Sequence, residues 1–365
     1  MRLDLELYRR DFGSPVVVPD VEIHVDRFSW EAMGGPSDAA ATVYGEERQL
    51  WELMELLRSP AWIREPYGEP VWWGYLHEVT VRVGAIQVGV SLDGMYNRIS
   101  VAYGQLDATE SGPGDRATTS WAQNDDSAGT YGTKELLASL SQATAISAAQ
   151  HRDSLLERYK YPTPVHRVNA QGSELSASLR FLGWWHTLCW QYYANAGTSE
   201  VATTSQIATI VSGKAQFLQG TEIMNASGVN TNENRSGDEP AGEIIEDLAR
   251  IGTTNDRRLL ATVTRDRYLR LEEEPVLDRA QVKHYMDSNG QVWGEWGSDW
   301  LPITNPVGEW IALRDVIPAT LDANQLADPT HFFTERATYD AERSMWIPEP
   351  RGLPSTWDLA AMLEG

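Results

Sequence analysis

Hydrophobic and polar residues alternate along much of the first hundred positions, the period of strands half-buried in a sheet. Leu3, Leu5 and Leu7 alternate with charges. Val21, Ile23 and Val25 alternate with Glu22, His24 and Asp26, and Arg27-Phe28-Ser29-Trp30 runs on to the turn signal Gly34-Gly35-Pro36. The returning strand is expected over residues 39–44. At residues 46–58 the period changes. Leu50, Leu53, Met54 and Leu57 fall at i, i+3, i+4 and i+7, which predicts a helix. Glu46 and Glu47 at its start and Arg58 at its end suit the helix dipole, and Pro60 follows as a stop. Strands resume at 70–76. Val79, Val81 and Val83, then Ile86, Val88 and Val90, flank Gly84 as a hairpin. A further strand is expected at 97–103.

Residues 105–131 are rich in Gly, Ser, Thr and Asp and read as a long loop or irregular hairpin. Residues 134–159 read as helical, either continuous or divided at 141–144. Pro162 and Pro164 end that segment and mark a domain boundary. The second half opens with an aromatic run over 179–193, read as strands. Ile207, Ile210, Val211, Lys214 and Phe217 mark a helix capped by Thr204 or Ser205. Residues 226–239 read as a polar loop. A helix runs from Pro240 at its first position to Gly252 just past its end, with Ile244, Ile245, Leu248 and Ile251 as its core face. Strands are expected at 258–263 and 267–273, and Asn289-Gly290 marks a hairpin. Residues 320–365 read as a tail carrying Pro329, Pro348, Pro350 and Pro354, with a short helix at 357–363.

Composition narrows the class. The 365 residues are 42% hydrophobic and 22% charged, which is globular composition. There are 52 acidic and 30 Lys and Arg side chains, a net charge of −22. Such a surplus, without a basic run, argues against a sequence-reading nucleic-acid binder. No apolar run reaches the roughly 18 residues of a membrane span. Met1-Arg2-Leu3-Asp4 lacks the apolar core of a signal peptide, so synthesis in a cytosol is expected. The one cysteine, Cys189, makes no internal disulfide and is expected to be a small buried hydrophobe.

Local catalytic signatures are sparse. Ser212-Gly213-Lys214-Ala215 has the Gly-Lys pair of a phosphate loop but neither its hydroxyl nor its upstream glycine. His24, His77, His151, His166, His186, His284 and His331 show no metal-ligand spacing. There is no Gly-x-Ser-x-Gly elbow. His186 and Cys189, on a strand, point to opposite faces. Paired carboxylates could serve glycoside hydrolysis, but 52 acids make some pair inevitable. Trp293, Trp296, Trp300 and Trp310 are candidates for stacking on sugars; the simpler reading is core and interface packing. No cofactor and no catalytic residue is expected.

Several segments together resemble a family. They are Phe28-Ser29-Trp30-Glu31-Ala32-Met33-Gly34-Gly35-Pro36, Leu50-Trp51-Glu52-Leu53 and Pro70-Val71-Trp72-Trp73-Gly74-Tyr75. Val90-Ser91-Leu92-Asp93-Gly94-Met95-Tyr96-Asn97-Arg98 follows, then Tyr131-Gly132-Thr133-Lys134-Glu135 and a helix ending at Tyr161-Pro162. In this order they resemble tail proteins of tailed bacteriophages and, more distantly, baseplate hub proteins. The resemblance spans roughly residues 20–320.

It implies an α+β, β-rich fold: two β-barrel-like, tail-tube-related domains with packed helices and an extended C-terminal tail. The expected divisions are 1–130 for the first barrel-like domain and 131–162 for a helical linker. A second α+β domain takes 163–320, and the tail 321–365. The implied role is structural, in the virion: a hub or tip protein joining tail tube to baseplate and lining or plugging the DNA channel. Assembly in the host cytoplasm is expected. The implied partners are further copies of the chain, as a homotrimer or alternatively a hexamer, and the tube, tape-measure and other tip proteins. DNA would pass without specific binding, past an acidic wall that repels phosphate. No membrane insertion is expected. The alternatives are a distal-tail adaptor ring, a carbohydrate- or receptor-binding tail protein and, last, a tail-associated glycosidase. The expected contact residues are Trp121, Asp125 and Asp126 in the first polar loop, Asn230 and Asn232 in the second, and Trp346 and Trp357 in a tail draped over a neighbour.

Overall fold

The structure is a computed structural model that describes residues 3–16, 21–65, 68, 70–106, 116–168, 174–275, 278–286, 292–296, 307–308, 310–312 and 331–351. β1 (Asp4–Tyr8) takes the alternation of its sequence and pairs antiparallel with β2 (Pro15–Val16). β3 (Glu22–Glu31) and β4 (Gly35–Tyr44) form the expected hairpin. Gly34 and Gly35 turn it with φ of 105° and 83°, a region side chains avoid. α1 (Glu47–Glu52) starts as expected, with the Gln49 side chain accepting the Glu46 N–H at 2.8 Å. It tightens into a 3-10 turn at Leu53–Leu56 and stops earlier than the periodicity predicts. The cause is Arg58: its φ of 66° reverses the chain, and its N–H bonds Leu76 O at 2.7 Å. β5 (Pro60–Arg64) then begins at the proline expected only as a stop. β6 (Pro70–Val83) is one long strand, joined to β7 (Ile86–Ser91) through Gly84.

The next segment departs most from its sequence. β8 (Arg98–Gln105) is as expected. The polar segment after it is not all loop: it holds β9 (Arg116–Thr118), β10 (Ala122–Gln123) and α2 (Asp125–Tyr131), while residues 107–115 lie outside the described part. Asn124 caps α2, its side chain accepting the Ser127 N–H. The first part of the expected helix is a strand, β11 (Glu135–Ala143), parallel to β8 from Glu135↔Arg98 to Leu140↔Tyr103. Parallel strands need a long crossover, which residues 106–134 supply. β8 offers backbone partners, and that outweighs the helical spacing of Leu136, Leu137 and Leu140. α3 (Ala145–Tyr159) begins where Thr144 and Ser147 form a capping box, and it packs Ala148 against Tyr103 and Ala143.

β12 (Val165–Val168) pairs with β7. β13 (Leu175–Leu182) enters between β4 and β6, so a strand from the expected second domain completes the first sheet. The aromatic run is strand at its two ends, in β13 up to Leu182 and again from Tyr192, but its middle is a 3-10 helix, Trp184–Trp190. It follows Gly183, where a Cβ would lie 1.7 Å from Pro36 O. Trp184, Leu188 and Trp190 point into the core, and Cys189 is exposed, correcting its expected burial. β14 (Tyr192–Asn195) and β15 (Glu200–Ala202) lead into α4 (Thr203–Lys214). Ala202 occupies the N-cap of α4; of the two residues expected there, Thr204 is buried in its first turn and Ser205 is exposed in it. β16 (Gly220–Met224) follows. The second expected loop carries β17 (Asn230–Asn232), paired with β15, and β18 (Arg235–Pro240), paired with β14.

α5 (Ala241–Ile251) has Pro240 at its N-cap, one position earlier than expected, and ends at Gly252 with φ 87°. Ile244, Ile245 and Leu248 are buried as expected, whereas Ile251 is exposed at the fraying end. β19 (Leu259–Val263) and β20 (Tyr268–Glu273) form the expected antiparallel pair. β21 (Asp278–Met286) and β22 (Val292–Trp296) pair antiparallel; Asn289 and Gly290 lie outside the described residues. β23 (Trp310–Ala312), β24 (His331–Asp340) and β25 (Met345–Pro350) follow.

Strands make up 49% and helices 23%, so the fold is β-rich α+β. The main sheet runs β2-β1-β5-β6-β13-β4-β3-β24-β23-β21-β22, with β7 and β12 branching from β6 and β25 on β24. Among the described residues no closed barrel is found. Residues 331–351 are not a draped tail: β24 pairs with β3 from Arg336↔Glu31 to Asp340↔Arg27. One apolar core runs from Leu3 through Phe28, Trp72, Phe181, Leu248 and Leu271 to Trp346.

Candidate functional site

A buried polar seam joins the β8–β11 unit to the main sheet, and Asn97 is its centre. Asn97 is 0% exposed. Its Nδ2 donates to Gly132 O at 2.7 Å and Ser127 Oγ at 3.2 Å, and its Oδ1 accepts the Lys134 N–H at 2.8 Å. Its backbone N–H reaches Lys134 O at 3.0 Å. A buried amide with both donors and its oxygen engaged fixes one geometry, because any alternative strands polar groups without water. The Lys134 ammonium donates to Leu92 O at 2.7 Å and Asp93 O at 3.0 Å and stands over the rings of Tyr96 and Trp190. Burial lowers its pKa to about 8, against the opposing pull of Asp93.

His77, Ser91 and Asp93 form the one serine–histidine–carboxylate grouping of this seam. Nε2 of His77 lies 2.7 Å from Asp93 Oδ1 and 3.5 Å from Ser91 Oγ, and Ser91 Oγ also donates to Asp93 Oδ2 at 3.1 Å. Both partners therefore meet the same ring nitrogen, while Nδ1 is buried without a partner. A hydrolase relay needs the acid on one nitrogen and the nucleophile on the other. Here the geometry holds a loop instead. Burial pushes the His77 pKa below its ordinary value, so the ring is neutral at pH 7 and donates Nε2–H to the carboxylate. Burial raises the Asp93 pKa, but His77, Ser91 and Lys134 outweigh it and hold it below the usual carboxylate value.

The seam continues to the expected contact residues. Glu135 is buried; its Oε1 meets Arg98 at 2.9 Å and its Oε2 accepts the Tyr192 N–H at 2.7 Å. The Arg98 guanidinium stacks 5.3 Å from the centre of the half-buried Trp121 ring, and Trp121 lies 6.2 Å from Tyr192. Tyr192 in turn pairs with Pro240 of β18. Tyr192 thus links Trp121 of the first polar segment to the end of β18. Asp125 and Asp126 are exposed in the first turn of α2, where carboxylates suit the helix dipole. Asn230 and Asn232 are exposed on β17, and Asn232 Oδ1 accepts the Asn234 N–H at 2.7 Å. Trp346 departs from expectation: it is 7% exposed, edge-on to Phe28 and Tyr339 inside the core, because the β24–β25 hairpin folds it inward. Trp357 and Trp300 lie outside the described residues, as do the side chains of Trp293, Trp296 and Trp310.

Cys189 and His186 share a 3-10 helix, not a strand, so the face argument from the sequence does not apply. Although the residue as a whole is exposed, its Sγ faces Gly242, and this local desolvation, together with Glu243 and Glu246, raises the Cys189 pKa to about 11 and keeps it a protonated thiol. Sequence reasoning missed Asn97, Lys134 and Glu135 as an interlocked set. No local period marks them: Asn97 stands beside Arg98 at the start of a strand, and Lys134 and Glu135 are consecutive in another segment. Among the described residues no group of three or more His, Cys, Asp or Glu could hold a metal, and no helix is long and apolar enough to cross a membrane. Compared with known proteins, the chain matches no family model and no curated protein.

Proposed function

We propose that the chain is a structural component of a bacteriophage tail, at the hub or tip, working in several copies without catalysis of its own. The observation that supports this reading is the convergence of the segments that carry the resemblance. Val90 to Arg98 and Tyr131 to Glu135 are tied to each other through Asn97 and Lys134. Tyr96 N–H bonds Tyr159 O at 2.8 Å, which brings in the helix before Tyr161-Pro162. Trp72 and Tyr75 of the third segment are fully buried in the same core as Leu92 and Met95. These residues serve architecture, as a virion subunit requires. In this reading the 22 surplus negative charges keep DNA from adhering as it passes.

Quantitative mass spectrometry and immunogold labelling of purified tails test the proposal. Label at the tail end remote from the capsid, with three copies per particle, is the expected result. Six copies would favour the distal-tail adaptor. Absence from purified tails would overturn the reading.

A further inference from the structure

Three arginines, Arg10, Arg58 and Arg267, gather around one of them, Arg58, and none of the three makes an ion pair with a carboxylate among the described residues. Arg58 is 5% exposed. Its two terminal nitrogens donate to Arg10 O at 2.6 Å and Thr130 O at 3.3 Å, and its Nε is buried without a partner. Its guanidinium stands 6.0 Å from the centre of the Phe12 ring and 5.0 Å from that of Phe217. Arg267 stacks on the same Phe12 ring at 3.5 Å and donates to Phe217 O at 3.0 Å. Arg10 stands 5.1 Å over the Tyr131 ring and donates to Leu57 O and Glu55 O.

Elsewhere the acid surplus claims arginines readily: Arg27, Arg48, Arg64, Arg98, Arg180, Arg258, Arg270, Arg336 and Arg351 each face a carboxylate within 4.0 Å. Arg10, Arg58 and Arg267 take backbone carbonyls and ring faces instead. Asp11, nearby and exposed, is the one carboxylate acting on Arg58.

Backbone strain singles out the same place. Phe12, Arg58 and Arg267 have φ of 62°, 66° and 64°, left-handed conformations that side chains disfavour. Such conformations persist where the surroundings over-determine them, and they gather at ligand clamps. Clustered guanidiniums repel one another, and a doubly charged oxyanion relieves this with the hydrogen-bond geometry guanidinium favours. Arg10 and Arg267 are only half-buried, and the charges of both act on the buried Arg58. The acid surplus elsewhere is screened over a Debye length of about 10 Å at 0.1 M salt.

We infer that Arg10 and Arg267, grouped around the buried Arg58, form with it a binding site for a phosphate- or sulfate-type dianion. The inference is independent of the proposed tail role. Calorimetric titration of the full chain with sodium phosphate, in a constant sodium chloride background, tests it. Saturable binding of one phosphate per chain is expected, with sulfate competing. Arg267→Gln and Arg10→Gln should each weaken it at least ten-fold. Arg48→Gln, an exposed arginine of α1, should leave it unchanged. Absence of saturable heat, equal weakening by Arg48→Gln, or acetate binding as tightly as phosphate would each overturn the assignment.

Discussion

Asn97 shows how one side chain commits the chain to one arrangement. Alanine there would leave Gly132 O and the Lys134 N–H buried without partners. Each such orphan costs about 1–3 kcal/mol, so Asn97→Ala should lower unfolding stability by about 3 kcal/mol. Denaturant titration measures it, and a change near zero would mean water replaces the amide. His77 makes a pH prediction. Its folded pKa lies below the unfolded value of about 6.5, so the unfolded chain binds more protons in that window. The stability it contributes is complete above pH 6.5 and is lost as pH falls through the folded value. His186, lowered by burial too, adds in the same direction. The melting temperature should therefore fall between pH 7.5 and 5, and His77→Gln should flatten part of that fall. An unchanged slope in the variant would refute the assignment.

At the scale of elements, period and punctuation marked some segments clearly. The β6–β7 hairpin and α5 follow from Val79, Val81, Val83, Gly84, Ile86, Val88 and Val90, and from Pro240 and Gly252, because the local signal and the tertiary demand agree. β11 shows the opposite case. Its leucines fit a helix, but the edge of β8 was available, and only the folded chain brings that edge to it. The aromatic run at Trp184–Trp190 had no period that distinguished a 3-10 helix from a strand. The β24–β25 hairpin was hidden by its prolines, which sit at the sheet edge where a missing N–H costs little. Trp346 holds that hairpin to Phe28, so Trp346→Ala should cost about 3–5 kcal/mol. Gly183→Ala should destabilise by about 1–3 kcal/mol or more, since its Cβ would overlap Pro36 O. Thermal or denaturant unfolding reads both, and wild-type stability in either would contradict the packing described.

Across the whole molecule, the expected division into separate barrel-like units gives way to a shared sheet and one core. β13 and β24 come from the second half of the chain and flank the β4–β3 hairpin of the first. Arg258 beside β19 grips Glu335 of β24 with two bonds, at 2.7 and 2.6 Å, and Arg351 links Glu335 to Glu274. Burial alone would raise the Glu335 pKa, but Arg258 and Arg351 hold it below the usual carboxylate value. Arg258→Gln should destabilise by about 2 kcal/mol. Combining it with Glu335→Gln should cost less than the two changes summed, because the pair is lost only once. Strict additivity in that double-mutant cycle would show that the bridge does not couple the halves.

The sequence by itself determined the alternating strands of the first hundred residues, the turns at Gly34-Gly35 and at Gly84 and the two ends of α5, since these depend on contacts a few residues apart. It also set the acid surplus, which folding cannot change. Tertiary structure decided which strand edges found partners, and so turned 135–143 into a strand, drew 331–351 into the main sheet and buried Trp346. It also gathered Asn97 with Lys134 and Arg10 with Arg58 and Arg267. The physical reason is common to all of these. Backbone partners, burial and close charges act between residues far apart in the chain, and no local period records who the partner will be.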